Sequence, residues 1–228
     1  MLESTVASFQ DNSAHGEDNF LLRDLGNGNF LDAVMDGVTG HGGGEASQSV
    51  VDALVAASLA SPEDVISVLK EVNDEFFQVG GGRFLLTTIS AVLFLDGQVH
   101  VIGAGDSPVF LVDTESSRQL SGRIGGFLHV GVAQAIGASE NVDNLMRTDF
   151  VVEPGTRLVL ATDGVTDNIL AAELADIVRA AGSPDEAAEQ VNSTIGERLE
   201  EGRVPEQLGR RFRHDDRTAI FRFFKEAG

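Results

Sequence analysis

The sequence predicts an α+β fold in which pairs of helices pack on antiparallel sheet. Two observations carry this. The hydrophobic period changes along the chain from strands to two helices, back to strands, to two more helices and to a final strand, an order that fits sheet covered by helix pairs. Turn chemistry of the hairpin kind punctuates the strands.

The elements follow in order. "TVASF" (5–9) reads as a strand and leads into the polar stretch "QDNSAHGED". "NFLLRDL" and "NFLDAVM" flank "GNG", a hairpin signal. After a glycine-rich loop the period becomes helical, with Ala46, Val50, Leu54, Val55 and Leu59 expected on one face. A second helix starts at Ser61 as N-cap with Pro62 in its first turn, and buries Val65, Leu69, Val72 and Phe76. "TTISAVLFL", "QVHVIGA" and "PVFLV" read as three strands in meander order, and "FVVEPGTRLVLATDG" as a further hairpin. Two helices follow. The second repeats the Ser-Pro start, adds Glu186 for a capping box, and buries Ala187, Val191, Ile195 and Leu199. "TAIFRFF" closes the chain as a strand.

With 228 residues, a single domain spanning 1–228 is expected, long enough to bury a core. Mean hydropathy is +0.02, and no stretch approaches 18 consecutive apolar residues, so no membrane span is expected. The start "MLESTVASFQ" lacks the charged-then-apolar pattern of a signal peptide. There are no cysteines, which excludes disulfides and thiolate metal sites and fits a cytoplasmic protein. The 36 acids outnumber 16 Lys and Arg, for a net charge of −20. That field repels nucleic acid and anionic membranes. It also repels a phosphorylated substrate unless cations invert it locally. Nearly all the basic charge is arginine, and Arg203, Arg210, Arg211, Arg213, Arg217 and Arg222 crowd the C-terminal end.

The acids fall in a pattern. Asp36, Asp106 and Asp163 each end a strand, and Asp167 stands four residues beyond the last of them. Asp215 and Asp216 open the final strand, and Glu17 and Asp18 precede "NFLLRDL". Asp96-Gly97 joins two strands, as a tight hairpin turn requires. Asp36-Gly37 and Asp163-Gly164 instead run toward helices, so their glycines are expected to let backbone approach closely rather than reverse the chain. Clustered carboxylates repel one another unless a cation neutralises them, and oxygen ligands select hard ions such as Mg²⁺ or Mn²⁺. The competing reading is a set of helix caps and turn acids. The loop after Asp36, "GVTGHGGG", is a third possibility as a phosphate cradle. It lacks the Gly-Lys-Ser/Thr ending of a nucleotide loop, and Glu45 stands where that cation is needed.

Seven segments in order resemble the PPM/PP2C family of metal-dependent protein phosphatases, bacterial type: "GEDNF" (16–20), "DGVTGHGGGEAS" (36–47), "LLTTISAVLF" (85–94), "GAGDSPVFLV" (103–112), "AQAIGASE" (133–140), "LVLATDGVTDNI" (158–169) and "DDRTAIF" (215–221). The resemblance implies a four-layer α-β-β-α sandwich with a metal cleft at one end. It implies two Mn²⁺ or Mg²⁺ ions, and a weaker third as in bacterial members. Asp36 would bridge two ions with help from the Gly37 carbonyl. Asp163 and Asp215 would bind the first, Glu17 and Asp18 the second, and Asp106 and Asp167 the third. The implied reaction is hydrolysis of phosphoserine or phosphothreonine on proteins, opposing a Ser/Thr kinase, by a hydroxide bridging the metals. The expected state is a monomer.

Three family positions depart. The phosphate-clamping Arg upstream of the opening motif is Ser13, and the Arg of Gly-Asp-Ser-Arg is Pro108. Leu86 also replaces a family glycine. Arg211 and Arg213, just before Asp215, are candidate replacements for the phosphate clamp. His41 and His15 are candidate general acids near neutral pH. The short segment between Asp106 and Asp163 implies a trimmed flap, as in the sporulation and stress-response phosphatases. Two functions compete with a protein phosphatase: a metal-binding regulatory or interaction module with lost turnover, and a phosphatase for small esters.

Overall fold

The computed structural model describes residues 2–122, 135–202, 205–209 and 212–227. Its strands are β1 (Leu2–Asp11), β2 (Asn19–Gly26), β3 (Asn29–Met35), β4 (Ile89–Leu95), β5 (Gln98–Ala104), β6 (Val109–Val112), β7 (Ser117–Gln119), β8 (Met146–Val151), β9 (Arg157–Ala161) and β10 (Arg217–Glu226). They form two antiparallel five-stranded sheets, ordered β1-β10-β9-β6-β7 and β2-β3-β4-β5-β8. The helices are α1 (Gly43–Ala56), α2 (Pro62–Gly80), the one-turn α3 (Asp163–Thr166), α4 (Ala171–Ala180) and α5 (Pro184–Glu201).

Three apolar layers hold the sandwich together. Leu31, Leu93 and Ile102 of the second sheet face Val50, Leu54, Leu69 and Phe76 of α1 and α2. Val159 and Phe221 of the first sheet face Leu174, Val178, Val191 and Ile195 of α4 and α5. Between the sheets lie Val34, Val92, Val101, Leu158, Leu160 and Ile220. Central strands with both faces covered read as continuous apolar runs, which is the pattern of β3, β4 and β9. The four layers therefore run helices, sheet, sheet, helices.

Local chemistry sets the corners. Asn27-Gly28 and Asp96-Gly97 both take positive φ and close two-residue hairpins, with Gly26 opposite Asn29 and Leu95 opposite Gln98. Ser61 accepts from Asp64 N–H while Asp64 accepts from Ser61 N–H, a complete capping box at α2. At α5 the box is half made. Ser183 accepts from Glu186 N–H, but Glu186 accepts from Gly182 N–H, one residue upstream of the expected partner.

Two strand connections and one helix differ from expectation. β4 and β5 pair, but β6 does not continue the meander; it pairs with β9 in the other sheet. Gly105 turns at φ 100, and Pro108 has no N–H for a ladder, so pairing ends and the chain crosses between sheets. β8 and β9 likewise form no hairpin. β8 pairs with β5 and β9 with β10 and β6, and the Glu153–Thr156 turn carries the chain across, with Gly155 N–H bonded to the Phe224 carbonyl. α1 begins three residues before Ala46, and Val55 is 51 % exposed rather than on its buried face.

The sheets are pinned by one charged pair. Asp32 of β3 takes both Nε (2.5 Å) and Nη2 (2.8 Å) of Arg222 from β10, and that guanidinium lies 3.6 Å from the centre of the Phe30 ring. Both residues are buried. A cavity of about 830 Å³ opens at this end, between the start of β1, the β2–β3 hairpin and the end of β10. The acids of interest lie at the opposite ends of the same strands. Among the described residues, no helix is long and apolar enough to cross a membrane.

Candidate metal centre

Five strand ends converge. Asp36 follows β3, Asp106 follows β5, Asp163 follows β9 as the first residue of α3, Asp18 precedes β2, and Asp215 precedes β10. Asp167 caps α3, its N–H bonded to the Asp163 carbonyl at 2.7 Å. Backbone bonds aim Asp36. Thr88 N–H (2.8 Å) and Thr87 Oγ1 (3.0 Å) donate to the Asp36 carbonyl, and Asp36 N–H donates to Thr88 Oγ1 (3.2 Å). The "TT" of "LLTTISAVLF" thus fixes the backbone and leaves the carboxylate to face the other acids. The "AIG" turn buttresses it, through bonds in both directions between Thr87 and Ile136.

Two glycines meet the expectation of close approach. A Cβ on Gly37 would stand 2.4 Å from the Gly43 carbonyl and 2.7 Å from that of Glu17. A Cβ on Gly164 would stand 1.8 Å from the Asp216 carbonyl oxygen. Gly164→Ala must therefore push α3 off the start of β10 and separate Asp163 from Asp215. We expect a loss of about 3 kcal/mol or more, read by urea denaturation. Wild-type stability in this variant would contradict the close crossing.

The electrostatics are those of crowded carboxylates. Burial, then the charges of Asp163, Asp18 and Asp106, push Asp36 well above the ordinary carboxylate range. Burial raises Asp18 to about 7, against hydrogen bonds from Thr162 and Thr218. Burial also raises Asp163; Arg213 opposes the rise, while Asp106, Asp167 and Asp215 add to it. Among the described residues, Arg213 is the cation that reaches into the cluster. Its Nη2 lies 2.5 Å from Asp163 Oδ2, and its Nε lies 2.8 Å from Asp215 Oδ2 and 4.0 Å from Asp167 Oδ2. Among the described residues no three His, Cys, Asp or Glu side chains stand together as a group that could hold a metal ion. The donors nevertheless suit hard cations: carboxylates that repel one another, with a guanidinium already drawn between two of them.

The sign of a pH effect follows from Asp18. Its carboxyl holds a proton to about 7 when folded, against 3.8 for the ordinary group. Between those values the folded chain binds more protons than the unfolded one. This contribution to stability is full below the unfolded value and is lost as pH rises through about 7. In EDTA the urea midpoint should fall between pH 5 and pH 7.5, and saturating Mn²⁺ should cancel the fall. A midpoint that rises over this range in EDTA would refute it.

Glu17 is half-buried, and its carboxylate accepts from Thr39 Oγ1 at 2.5 Å. Ser47, in "GEAS", donates to the Glu17 carbonyl (2.6 Å) and accepts from Asn19 (2.9 Å), tying the opening motif to α1. His41 bonds through Nδ1 to the Arg83 carbonyl at 2.7 Å on an exposed loop. His15 instead stands 3.6 Å from Asp215. Arg211 lies outside the described residues, as do Gln134 and Ala133 of the "AQAIGASE" segment. Ser13 caps a turn on Asp11, through its N–H at 3.0 Å.

Asp216 is the residue whose role the sequence concealed. Its Oδ1 accepts from Ala14 N–H (3.0 Å) and His15 N–H (2.9 Å), and its Oδ2 from Glu17 N–H (2.7 Å). It shapes the opening loop from the far end of the chain. The adjacent pair "DD" carried a signal: neighbours on extended backbone point to opposite sides, so both could not join one cluster.

This four-layer sandwich is the fold of metal-dependent serine/threonine phosphatases. Stp1, a serine/threonine phosphatase from Staphylococcus aureus, matches over 100 % of this chain and 96 % of its own at 18 % identity, with a TM-score of 0.76. The catalytic domain of the serine/threonine protein phosphatase PstP, solved with two manganese ions, matches over 99 % and 100 % at 20 % identity, with a TM-score of 0.75. PppA, a regulatory component of T6SS in Pseudomonas aeruginosa, matches over 97 % and 98 % at 20 % identity, also at 0.75. No curated protein matches the sequence significantly. The model of the Stage II sporulation protein E (SpoIIE) family matches residues 29–221, and the chain belongs to that family.

Proposed function

We propose that the chain is a metal-dependent phosphatase that hydrolyses phosphoserine or phosphothreonine on proteins, opposing a Ser/Thr kinase. The observation that carries the reading is the convergence of Asp36, Asp163, Asp18, Asp106 and Asp215 at one end of the sandwich, where burial and neighbouring charges raise the proton affinity of Asp18, Asp36 and Asp163. Asp36, Gly37, Asp163 and Asp215 are the proposed holders of one ion; Asp36 with Glu17 and Asp18 of a second; Asp106 and Asp167 of a third. When bound, two divalent ions would supply a Lewis-acid clamp on the phosphoryl group and an activated water. The chain's own part is to fix the carboxylates on strand ends, so that little reorganisation is needed when charge develops.

Phosphate recognition falls to Arg213 and Arg211, since Ser13 and Pro108 offer no guanidinium. His15 and His41 are the candidate proton donors to the leaving alkoxide, and the 3.6 Å approach to Asp215 favours His15. The net charge of −20 favours a substrate whose recognition surface is basic around the phosphorylated residue.

The test is hydrolysis of phosphothreonine and phosphoserine peptides with Mn²⁺, beside p-nitrophenyl phosphate. Metal-dependent turnover that EDTA abolishes supports the proposal. Turnover of small esters alone would reassign the substrate. The alternative of a binding module draws on Arg213 standing among the acids, and tight phosphopeptide binding without turnover would favour it.

A further inference from the structure

Arg213 makes an arrangement the metal reading does not require. Its side chain is 52 % exposed, yet it reaches inward to Asp163 and Asp215. Its backbone is fixed: Asn168 Nδ2 donates to the Arg213 carbonyl (2.9 Å) and to the Gly164 carbonyl (2.7 Å), tying residue 213 to the helix that carries Asp163. The backbone is thus tied by two hydrogen bonds, while about half of the side chain is exposed. An exposed ion pair is weak on its own, but this guanidinium faces three carboxylates that repel one another without it. The two acids it joins are proposed ligands of the same ion.

We infer that Arg213 is an internal counter-ion that fills the cation position between Asp163 and Asp215 until a divalent ion displaces it, and that the displaced guanidinium then serves the substrate phosphate. This rests on the metal-centre reading above. It adds that metal affinity is set by competition within the chain. Two positive groups cannot share the space between one pair of carboxylates, so entry of the ion requires the arm to leave. Where the locked state dominates by ten to one, the observed affinity for metal is lowered about tenfold. The freed arm stays on the backbone beside Asp215, within side-chain reach of a phosphate bound at the cluster. Ser13, where the family's clamp is missing, leaves that role open.

The test is calorimetric titration of the full chain with Mn²⁺. Arg213→Ala should bind Mn²⁺ about three- to tenfold more tightly than wild type. The ratio should persist in 1 M KCl, where the Debye length is about 3 Å and a remote charge no longer acts. The melting temperature should fall in EDTA but not at saturating Mn²⁺, whereas a merely structural arginine would lower both. Arg213→Met, which keeps the aliphatic stem, should reproduce the result if the alanine variant folds poorly. Equal or weaker affinity in both variants, or a gain that vanishes in 1 M KCl, overturns the inference. Tighter Mn²⁺ binding with no hydrolysis in wild type would keep the counter-ion role and sink both the phosphatase and the arm's role on the substrate phosphate. Hydrolysis with unchanged affinity would do the reverse.

Discussion

Asp36→Asn should lower metal-dependent phosphopeptide turnover by about a hundred- to a thousandfold while leaving the metal-free protein at least as stable as wild type. The two halves share one cause. Asp36 is held above the ordinary carboxylate range first by burial and then by three neighbouring acids. Asparagine keeps the shape and removes the charge, so repulsion at the end of β3 eases. The same change removes the ligand proposed to bridge two ions, and a neutral amide holds hard cations poorly. Its backbone bonds to Thr87 and Thr88 are unaffected, so the fold around it should persist. A variant that keeps wild-type turnover, or that melts well below wild type in EDTA, would contradict the assignment.

Asp32→Ala should have the largest effect on stability, and none on metal affinity. It strands Arg222 between the sheets, where the guanidinium makes two charge-assisted bonds to Asp32 and one to Ser4. Breaking one side of a buried pair costs about 3–5 kcal/mol. For a chain of this size that is a fall of roughly 10 °C in melting temperature. Replacing both partners, as Asp32→Ala with Arg222→Met, should recover most of the loss, because no charge is left buried and unpaired. Calorimetry of the two variants measures the effect. A single variant within about 1 kcal/mol of wild type would show that the pair contributes little.

Asp32 also shows where sequence reading reached its limit. It sits in "NFLDAVM" as an acid inside an apolar strand, and its partner is almost two hundred residues away. Six arginines crowd the C-terminal end of the sequence. Those described have separate employment: Arg222 on Asp32, Arg217 on Asp11 at 2.7 Å, and Arg213 in the acidic cluster. Spacing along the chain cannot distribute charges among partners that only folding brings near.

Local signals fared better. Asn27-Gly28, Asp96-Gly97 and Ser61-Pro62 each determine their own geometry within four residues, and each was legible. Gly37 and Gly164 were legible too, since Asp-Gly leading toward a helix needs a reason other than chain reversal. What failed was sheet membership. "PVFLV" and "RLVLA" look like neighbours of the strands before them, but Pro108 and the Glu153–Thr156 turn carry them across the sandwich. An apolar strand buried on both faces carries no mark of the sheet it joins. The acids could be read as a group because each stands at a strand end. The pair "DD" implied that one of the two turns away, but not that Asp216 would hold Ala14, His15 and Glu17.

If these carboxylates hold divalent ions, anomalous diffraction at the manganese edge, from crystals equilibrated with Mn²⁺, will locate them. At least two manganese peaks are expected, both touching Asp36, one shared with Asp163 and Asp215 and the other on the side of Glu17 and Asp18, with Arg213 displaced from between Asp163 and Asp215. A map at saturating Mn²⁺ with no anomalous peak among these acids would contradict the proposed metal centre.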